Sequence, residues 1–164
     1  MKYKFTTLML LITVCLVSGC GFHLRGTAQL PPALQTLSLA STDGNSDILR
    51  ELRRSLVASG VNVLDAPQGN TYTLAIGAED SSERVLSVNS NARAGEYELT
   101  MSVPFQLRSG GTTVIGPETL VIEKVYLADP NSAVAKAEER ELMEEEMRRE
   151  LVSLILRRLQ SASL

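Results

Sequence analysis

Residues 96–107, EYELTMSVPFQL, alternate polar and apolar side chains along almost their whole length. Because successive side chains of a β-strand point to opposite faces, this period of two predicts a strand with one buried and one solvated face. Pro104 belongs to the polar series and lacks a backbone donor, so it predicts an edge or a bulge at that point. The apolar series comprises Tyr97, Leu99, Met101, Val103, Phe105 and Leu107.

The sequence on either side predicts more strands and two helices around this one. Apolar residues at helical spacing predict a helix from Asp47, capped by Ser46, to a left-handed Gly60. A second amphipathic helix is predicted at residues 131–159, after a cap at Asp129. Shorter alternating runs predict strands at 36–40, 61–64, 71–76 with a continuation at 84–88, and 119–127. The order β-α-β-β-β-β-α indicates one α/β domain, whose first strand–helix–strand unit favours parallel pairing.

The N-terminal segment has the layout of a bacterial lipoprotein signal. Basic residues precede a short apolar run, and two small residues precede Cys20. This pattern resembles the lipobox, in which a peptidase cuts before a cysteine whose sulfur already carries diacylglycerol. We therefore expect a signal peptide at residues 1–19, a lipidated tether at 20–35 and a single domain at 36–164.

Lipidation of Cys20 determines the expected relation to the membrane. The apolar run is too short to span a bilayer, which needs about 20 apolar residues. Diacylglycerol on the sulfur and an acyl chain on the new amino group would instead anchor the protein stably, since two or more chains are sufficient. In enteric-type sorting, an aspartate directly after the lipidated cysteine resembles a signal for retention in the inner membrane. Residue 21 is a glycine instead, so we expect the outer membrane.

Composition excludes several classes of protein. The 164 residues include 16 basic and 19 acidic side chains. Removal of residues 1–19 takes away two lysines and no acid, which leaves 14 basic residues and a net charge of −5. An acidic domain argues against nucleic-acid binding. Cys15 leaves with the signal and Cys20 takes the lipid, so no disulfide is expected.

The chain shows no arrangement of residues typical of an enzyme. It has no phosphate loop, no nucleophile elbow and no metal-ligand spacing. His23 is its only histidine, so a histidine-based metal cluster or catalytic triad cannot form from this chain alone. Glu96 and Glu98 share a strand face, but their open setting favours solvated carboxylates over an acid–base pair. We expect no catalytic residues, no metal and no cofactor besides the lipid on Cys20.

Three stretches resemble the LptE family of lipopolysaccharide-assembly lipoproteins. They are CGFHLRG at 20–26 followed by LP at 30–31, GEYE at 95–98, and DPNSAVAK at 129–136. The resemblance implies a compact α/β domain, with two helices packed on one face of a mixed, mostly antiparallel four-stranded sheet. It also implies a plug inside the outer-membrane β-barrel LptD, and contact with lipopolysaccharide. The polar face of the 96–107 strand is then a candidate surface for the barrel.

The resemblance further indicates two cationic residues for lipopolysaccharide. Lys136 lies where the family's last helix begins, and a basic residue there is implicated in lipopolysaccharide contact. The family's second basic residue falls in the loop before Glu96. An ungapped match places Ser90 at that position, and Arg93 is the nearest cation. Because lipid A and the inner core are rich in phosphate, neighbouring cations suit them.

A second interpretation from another class stays open at this level. The chain could be a lipoprotein adaptor, such as a pilot for a secretion channel, with the same anchor and a similar small domain. The run after Cys20 distinguishes the two interpretations, because a pilot has no reason to carry it.

Overall fold

The computed structural model describes residues 30–44, 46–88, 94–127 and 132–162. In this part of the chain it has six strands, two α-helices and one short 3₁₀ turn at Pro32–Leu34. The strands are β1 Thr36–Ser41, β2 Asn62–Leu64, β3 Tyr72–Ile76, β4 Asp80–Val88, β5 Ala94–Ser109 and β6 Thr112–Leu127. The helices are α1 Asp47–Ala58 and α2 Ala133–Gln160.

All six strands form one mixed sheet. β1 pairs in parallel with both β2 and β3, whereas β5 pairs antiparallel with β3, β4 and β6. The parallel β1–β2 pair across α1 confirms the pairing that the sequence predicted. The expectation of four strands is wrong. Six strands fill five adjacent positions, because β3 and β4 follow one another along the same side of β5.

The junction between β3 and β4 faces Pro104 in the middle of β5. The Pro104 carbonyl accepts a hydrogen bond from the Gly77 amide at 2.8 Å. Because the N–H and C=O of one strand residue point to the same neighbour, the missing donor of Pro104 also faces this break and disrupts no pair with β6. Pro104 itself is paired in register with Thr119, and the β5–β6 irregularity lies further along, between Phe105 and Leu107, rather than at the predicted position. Pro104 is not on an edge strand.

The core lies on one face of the sheet, beneath both helices. Leu99, Met101, Val103, Phe105 and Leu107 of the apolar series are all buried, as the alternation predicted. They belong to one cluster that also contains residues of both helices, so the helices pack on the same face as predicted. The helical residues in this core are Ile48, Leu52, Leu56, Met147, Leu151, Val152, Ile155 and Leu159.

The ends of α1 follow the sequence prediction with one difference. Gly60 has a φ of 83°, its amide bonds the Val57 carbonyl, and the Val61 amide bonds the Leu56 carbonyl, which is a Schellman ending. Ser46 occupies the N-cap position, but its side chain makes no capping hydrogen bond.

The start of α2 differs from the sequence prediction. The helix begins at Ala133 rather than near residue 131, and its cap is Ser132. The Ser132 hydroxyl accepts from the Ala135 amide at 3.2 Å. Asp129, the predicted cap, lies outside the described residues. Ser132 is the cap because it lies directly before the helix and its hydroxyl satisfies a free amide of the first turn.

Ion pairs fasten α2 to strands on both sides of the core. Lys124 of β6 contacts Glu146 of α2 at 2.7 Å. At the β3–β4 junction, Arg148 holds Glu79 through two nitrogens, at distances of 2.9 to 3.1 Å. Because these pairs lie on opposite sides of β5, they fix the position of the helix across the sheet.

Candidate functional site

Lys136, the predicted lipopolysaccharide-binding residue within the described chain, lies in the first turn of α2. Its amide donates to the Ser132 carbonyl at 3.1 Å, so the capped turn fixes its backbone. Its ammonium lies 2.6 Å from Glu83 of β4 and 3.7 Å from the ring centroid of Tyr97 of β5. The helix start therefore holds this cation against the sheet.

A second tyrosine completes the arrangement. The hydroxyl of Tyr126, on β6, donates a hydrogen bond to the second carboxylate oxygen of Glu83. The rings of Tyr97 and Tyr126 are stacked, with centroids 5.5 Å apart and an interplanar angle of 22°. The register explains this contact, since these two residues are directly opposite in the β5–β6 pair. We call Glu83, Tyr97, Tyr126 and Lys136 the tyrosine–glutamate–lysine cluster.

The pKa shifts in the cluster preserve the charges of the ion pair. Burial alone would raise the pKa of Glu83, but hydrogen bonds from Lys136 and Tyr126 bring it below its ordinary value. The hydrogen bond to Glu83 raises the pKa of Lys136. Burial, together with the bond to Glu83, raises the pKa of Tyr126, so its hydroxyl stays protonated as a donor. At neutral pH Glu83 is thus a carboxylate, Lys136 an ammonium and Tyr126 a neutral phenol.

More charged side chains surround this cluster along α2. Arg140, one helical turn after Lys136, pairs with Glu144 at 3.0 Å, and its charge also lowers the pKa of Glu83. Glu144 accepts a hydrogen bond from the Ser81 hydroxyl of β4 at 2.9 Å. Polar contacts therefore hold the N-terminal half of α2 on β4.

The other predicted site residues lie outside the described part of the chain. They are Cys20 and Arg93. Val88 and Ala94, the nearest described residues before and after Arg93, are paired with each other. Leu127 pairs with Glu96 close by, so the chain leaves β4 and β6 at the same end of the sheet, where Lys136 also lies.

Sequence reasoning missed three members of the cluster. Glu83 lies at an inward position of β4, opposite the buried Leu99, just before the predicted strand segment 84–88. Since no apolar alternation marks an inward side in residues 80–83, the sequence offered no signal that this carboxylate would be half-buried and need a partner. Tyr97 and Tyr126 had been assigned to strands only.

The two carboxylates that the sequence analysis weighed as an acid–base pair have different surroundings. Glu98 pairs with Arg84 on the neighbouring strand, and Glu96 is exposed. Within residues 30–44, 46–88, 94–127 and 132–162, no group of three potential ligands is suited to a metal ion. In the same ranges, neither helix is both long and apolar enough to cross a membrane.

Solved structures define the class of protein. The rare lipoprotein B from Shewanella oneidensis is similar at 31% identity and a TM-score of 0.70, covering 77% of this chain and 94% of that one. Lipoprotein B from Nitrosomonas europaea has the same fold, at 22% identity and a TM-score of 0.71, covering 86% and 91%. The domain is thus a mixed α+β domain of the kind found in bacterial lipoproteins.

Sequence comparison identifies the family. The lipopolysaccharide-assembly family LptE matches residues 34–159. The LPS-assembly lipoprotein LptE of Pectobacterium atrosepticum is 29% identical over 160 residues, which are 97% of this chain and 86% of that protein. The protein of the same name from Yersinia enterocolitica is 32% identical over 160 residues, covering 97% and 77%. The chain belongs to the LptE family.

Membership determines the general role. The family supports a function in lipopolysaccharide assembly at the cell envelope, and its members are assembly lipoproteins rather than enzymes. The predictions of a lipoprotein that is not an enzyme and has no cofactor are confirmed by family membership.

Proposed function

We propose that this chain is the lipid-anchored subunit of an outer-membrane lipopolysaccharide translocon. In this role it plugs an LptD-like β-barrel from the periplasmic side and binds lipopolysaccharide during insertion into the outer leaflet. The observation that carries the proposal is the position of Lys136 within a chain of this family. Its cation lies at one end of the sheet with about a third of its side chain exposed.

The open face of the sheet supports contact with a barrel. On β5, the exposed or half-buried Glu96, Thr100 and Ser102 point away from the helices. Val121 and Val125 of β6 lie beside them, and each is about half exposed. Large barrels have polar interiors, so a mainly polar face with a narrow apolar strip suits such a lumen.

Photo-crosslinking tests the barrel contact. A photoreactive residue at Val125 should form a crosslink to an LptD-like barrel in native outer membranes. Val57 on α1, which is exposed to a similar extent, is the matched position on the helical side. Purification of the Val125 adduct with a secretin would support the adaptor interpretation. If neither the Val125 variant nor the Val57 variant forms an adduct with a barrel, the proposed plug inside the barrel is contradicted.

Phosphate recognition is proposed for Lys136 together with Arg93. Changing both to aspartate should weaken lipopolysaccharide binding and leave the circular dichroism spectrum unchanged. Lys124→Asp is the control, since this lysine is also paired with glutamates of α2 but lies outside the cluster. Equal binding by wild type and the double variant would remove both residues from the site. A loss as large in the control would indicate general charge attraction instead.

Lipidation of Cys20 is the proposed means of attachment. Growth with a fatty-acid analogue should label the wild-type protein and leave Cys20→Ala unlabelled, because the alanine has no sulfur to form the thioether. Labelled wild type should fractionate with the outer membrane. Equal labelling of the two proteins would exclude this anchor.

A further inference from the structure

Lys136 already has an anionic partner within its own chain. Glu83 lies 2.6 Å from its ammonium, and the side chains of the two residues are 16% and 30% exposed. Both carboxylate oxygens of Glu83 are engaged, one by Lys136 and the other by the Tyr126 hydroxyl. A phosphate that approaches Lys136 therefore meets a cation whose charge is largely neutralised.

We infer that Glu83 is an internal counter-ion that a lipopolysaccharide phosphate must displace from Lys136, and that it thereby limits the affinity of the site. This inference rests on the proposed function. Carboxylate and phosphate oxygens bind an ammonium at similar distances and in similar ways, so they compete for it. Both anions also repel each other when they share one cation.

The tyrosines preserve the site while the counter-ion is exchanged. The Tyr97 ring lies 3.7 Å from the Lys136 ammonium and contributes a cation–π contact that does not depend on Glu83. Stacking of Tyr97 on Tyr126 holds that ring in place. The cation thus stays in position when its carboxylate partner leaves.

The neighbouring charges determine where Glu83 goes. Arg140 on α2 acts on Glu83 through its charge and is paired with Glu144. Released from Lys136, Glu83 still has the Tyr126 hydroxyl as a donor and Arg140 as a nearby cation. Displacement therefore does not leave an isolated carboxylate in a half-buried position.

Glu83→Gln is the informative substitution. Glutamine has the same size, and its amide oxygen accepts from Tyr126 or from Lys136, so the cluster keeps its shape without the negative charge. Because one partly exposed competing charge is removed, lipopolysaccharide should bind roughly two- to tenfold more tightly. The gain should disappear in the Lys136→Gln background. It should also disappear with dephosphorylated lipopolysaccharide as the probe.

Glu146→Gln is the matched control. Glu146 is also a glutamate of a lysine pair, 2.7 Å from Lys124, and its substitution changes the net charge by the same amount. The full-length lipoprotein in detergent is titrated with purified lipopolysaccharide, and thermal unfolding checks each variant. A gain in Glu83→Gln alone, dependent on Lys136 and on phosphate, supports the inference.

Other outcomes separate the two proposals. If Lys136→Gln weakens binding while Glu83→Gln leaves it unchanged, phosphate binds without displacing Glu83, and only this inference fails. Weaker binding by a folded Glu83→Gln variant would make Glu83 a residue that positions Lys136, which also overturns the inference. If neither substitution changes binding, Lys136 is not in the site, and the proposed lipopolysaccharide contact fails with it.

Discussion

Gly77→Ala should destabilise the domain because the ring of Pro104 fills the space beside Gly77. A Cβ built on Gly77 lies 2.4 Å from the Pro104 Cγ and 3.3 Å from its Cδ. Carbon atoms in contact are normally about 3.5–4.0 Å apart, so the methyl group overlaps a rigid ring by about 1 Å. Overpacking of this kind costs about 1–3 kcal/mol of the free energy of unfolding.

The same geometry predicts that Pro104→Ala rescues the defect. Alanine at 104 removes Cγ and Cδ, and the remaining Cβ lies at 3.5 Å, an ordinary contact distance. Pro104→Ala alone should cost about 0.4–1 kcal/mol, because the unfolded chain gains conformational freedom. The double variant should therefore be about 1–3 kcal/mol more stable than expected from adding the effects of the two single substitutions.

Urea unfolding followed by circular dichroism measures this interaction energy. The free energy of unfolding should fall with urea concentration at the same slope in all variants, which should differ only in their unfolding midpoint. Gly95→Ala is the control for adding a methyl group to a strand glycine without a clash, since no heavy atom of the described residues lies within 4 Å of a Cβ built there. Additive effects of Gly77→Ala and Pro104→Ala would show that a methyl group at position 77 does not clash with the Pro104 ring.

Three more predictions concern the core and the ion pairs. Leu151→Ala should lower the free energy of unfolding by about 2–5 kcal/mol, because it leaves a cavity at a fully buried site, whereas the exposed Leu142→Ala should change it little in the same urea assay. Arg148→Met should cost about 1–3 kcal/mol by leaving the half-buried Glu79 unpaired, and a further Glu79→Gln should recover part of that loss. The lowered pKa of Glu83 contributes stability that is present above its ordinary value of 4.5 and is lost as pH falls through the lowered pKa. The melting temperature of wild type should therefore fall more steeply on acidification below pH 4.5 than that of Glu83→Gln, and parallel curves would contradict this.

The central strand was predictable because its two faces differ in solvent exposure along its whole length. Alternation places Leu99, Met101, Val103 and Phe105 on the buried side, and all four are buried. The end of α1 was predictable for a similar reason, since Gly60 is the residue that adopts a positive φ without strain. Local patterns succeed where one physical requirement determines the residue type.

The edges of the sheet were less predictable because their pattern is mixed. The alternating exposure of β4 includes Ser81 and Glu83 at inward positions, so its buried side carries no apolar signal. β6 is longer than the predicted 119–127, and its first residues, from Thr112 to Val114, are exposed. Pairing with β5 stabilises both strands, and this pairing depends on the register of the strands rather than on their composition.

The candidate site was the least predictable part because four elements build it. Glu83, Tyr97, Tyr126 and Lys136 come from β4, β5, β6 and α2. The sheet register brings the first three together, and the position of α2 on the sheet adds Lys136. By their helical spacing Ala133 and Ala137 belong to the apolar stripe of the predicted helix 131–159, yet both are exposed. The sequence indicated an apolar contact at this end of the helix, but ion pairs and hydrogen bonds make it instead.

This division of α2 supports the proposed exchange of ionic partners in the cluster without loss of the fold. The five buried residues of the helix run from Met147 to Leu159, so the apolar core holds its C-terminal half. Lys136 lies about three helical turns before Met147. At Lys136 a half-buried ion pair adds little net stability because it also carries a desolvation cost. Rearrangement at Lys136 therefore disturbs a weakly held segment and leaves the core intact, which is the property that a reversible anion site at this end of the sheet requires.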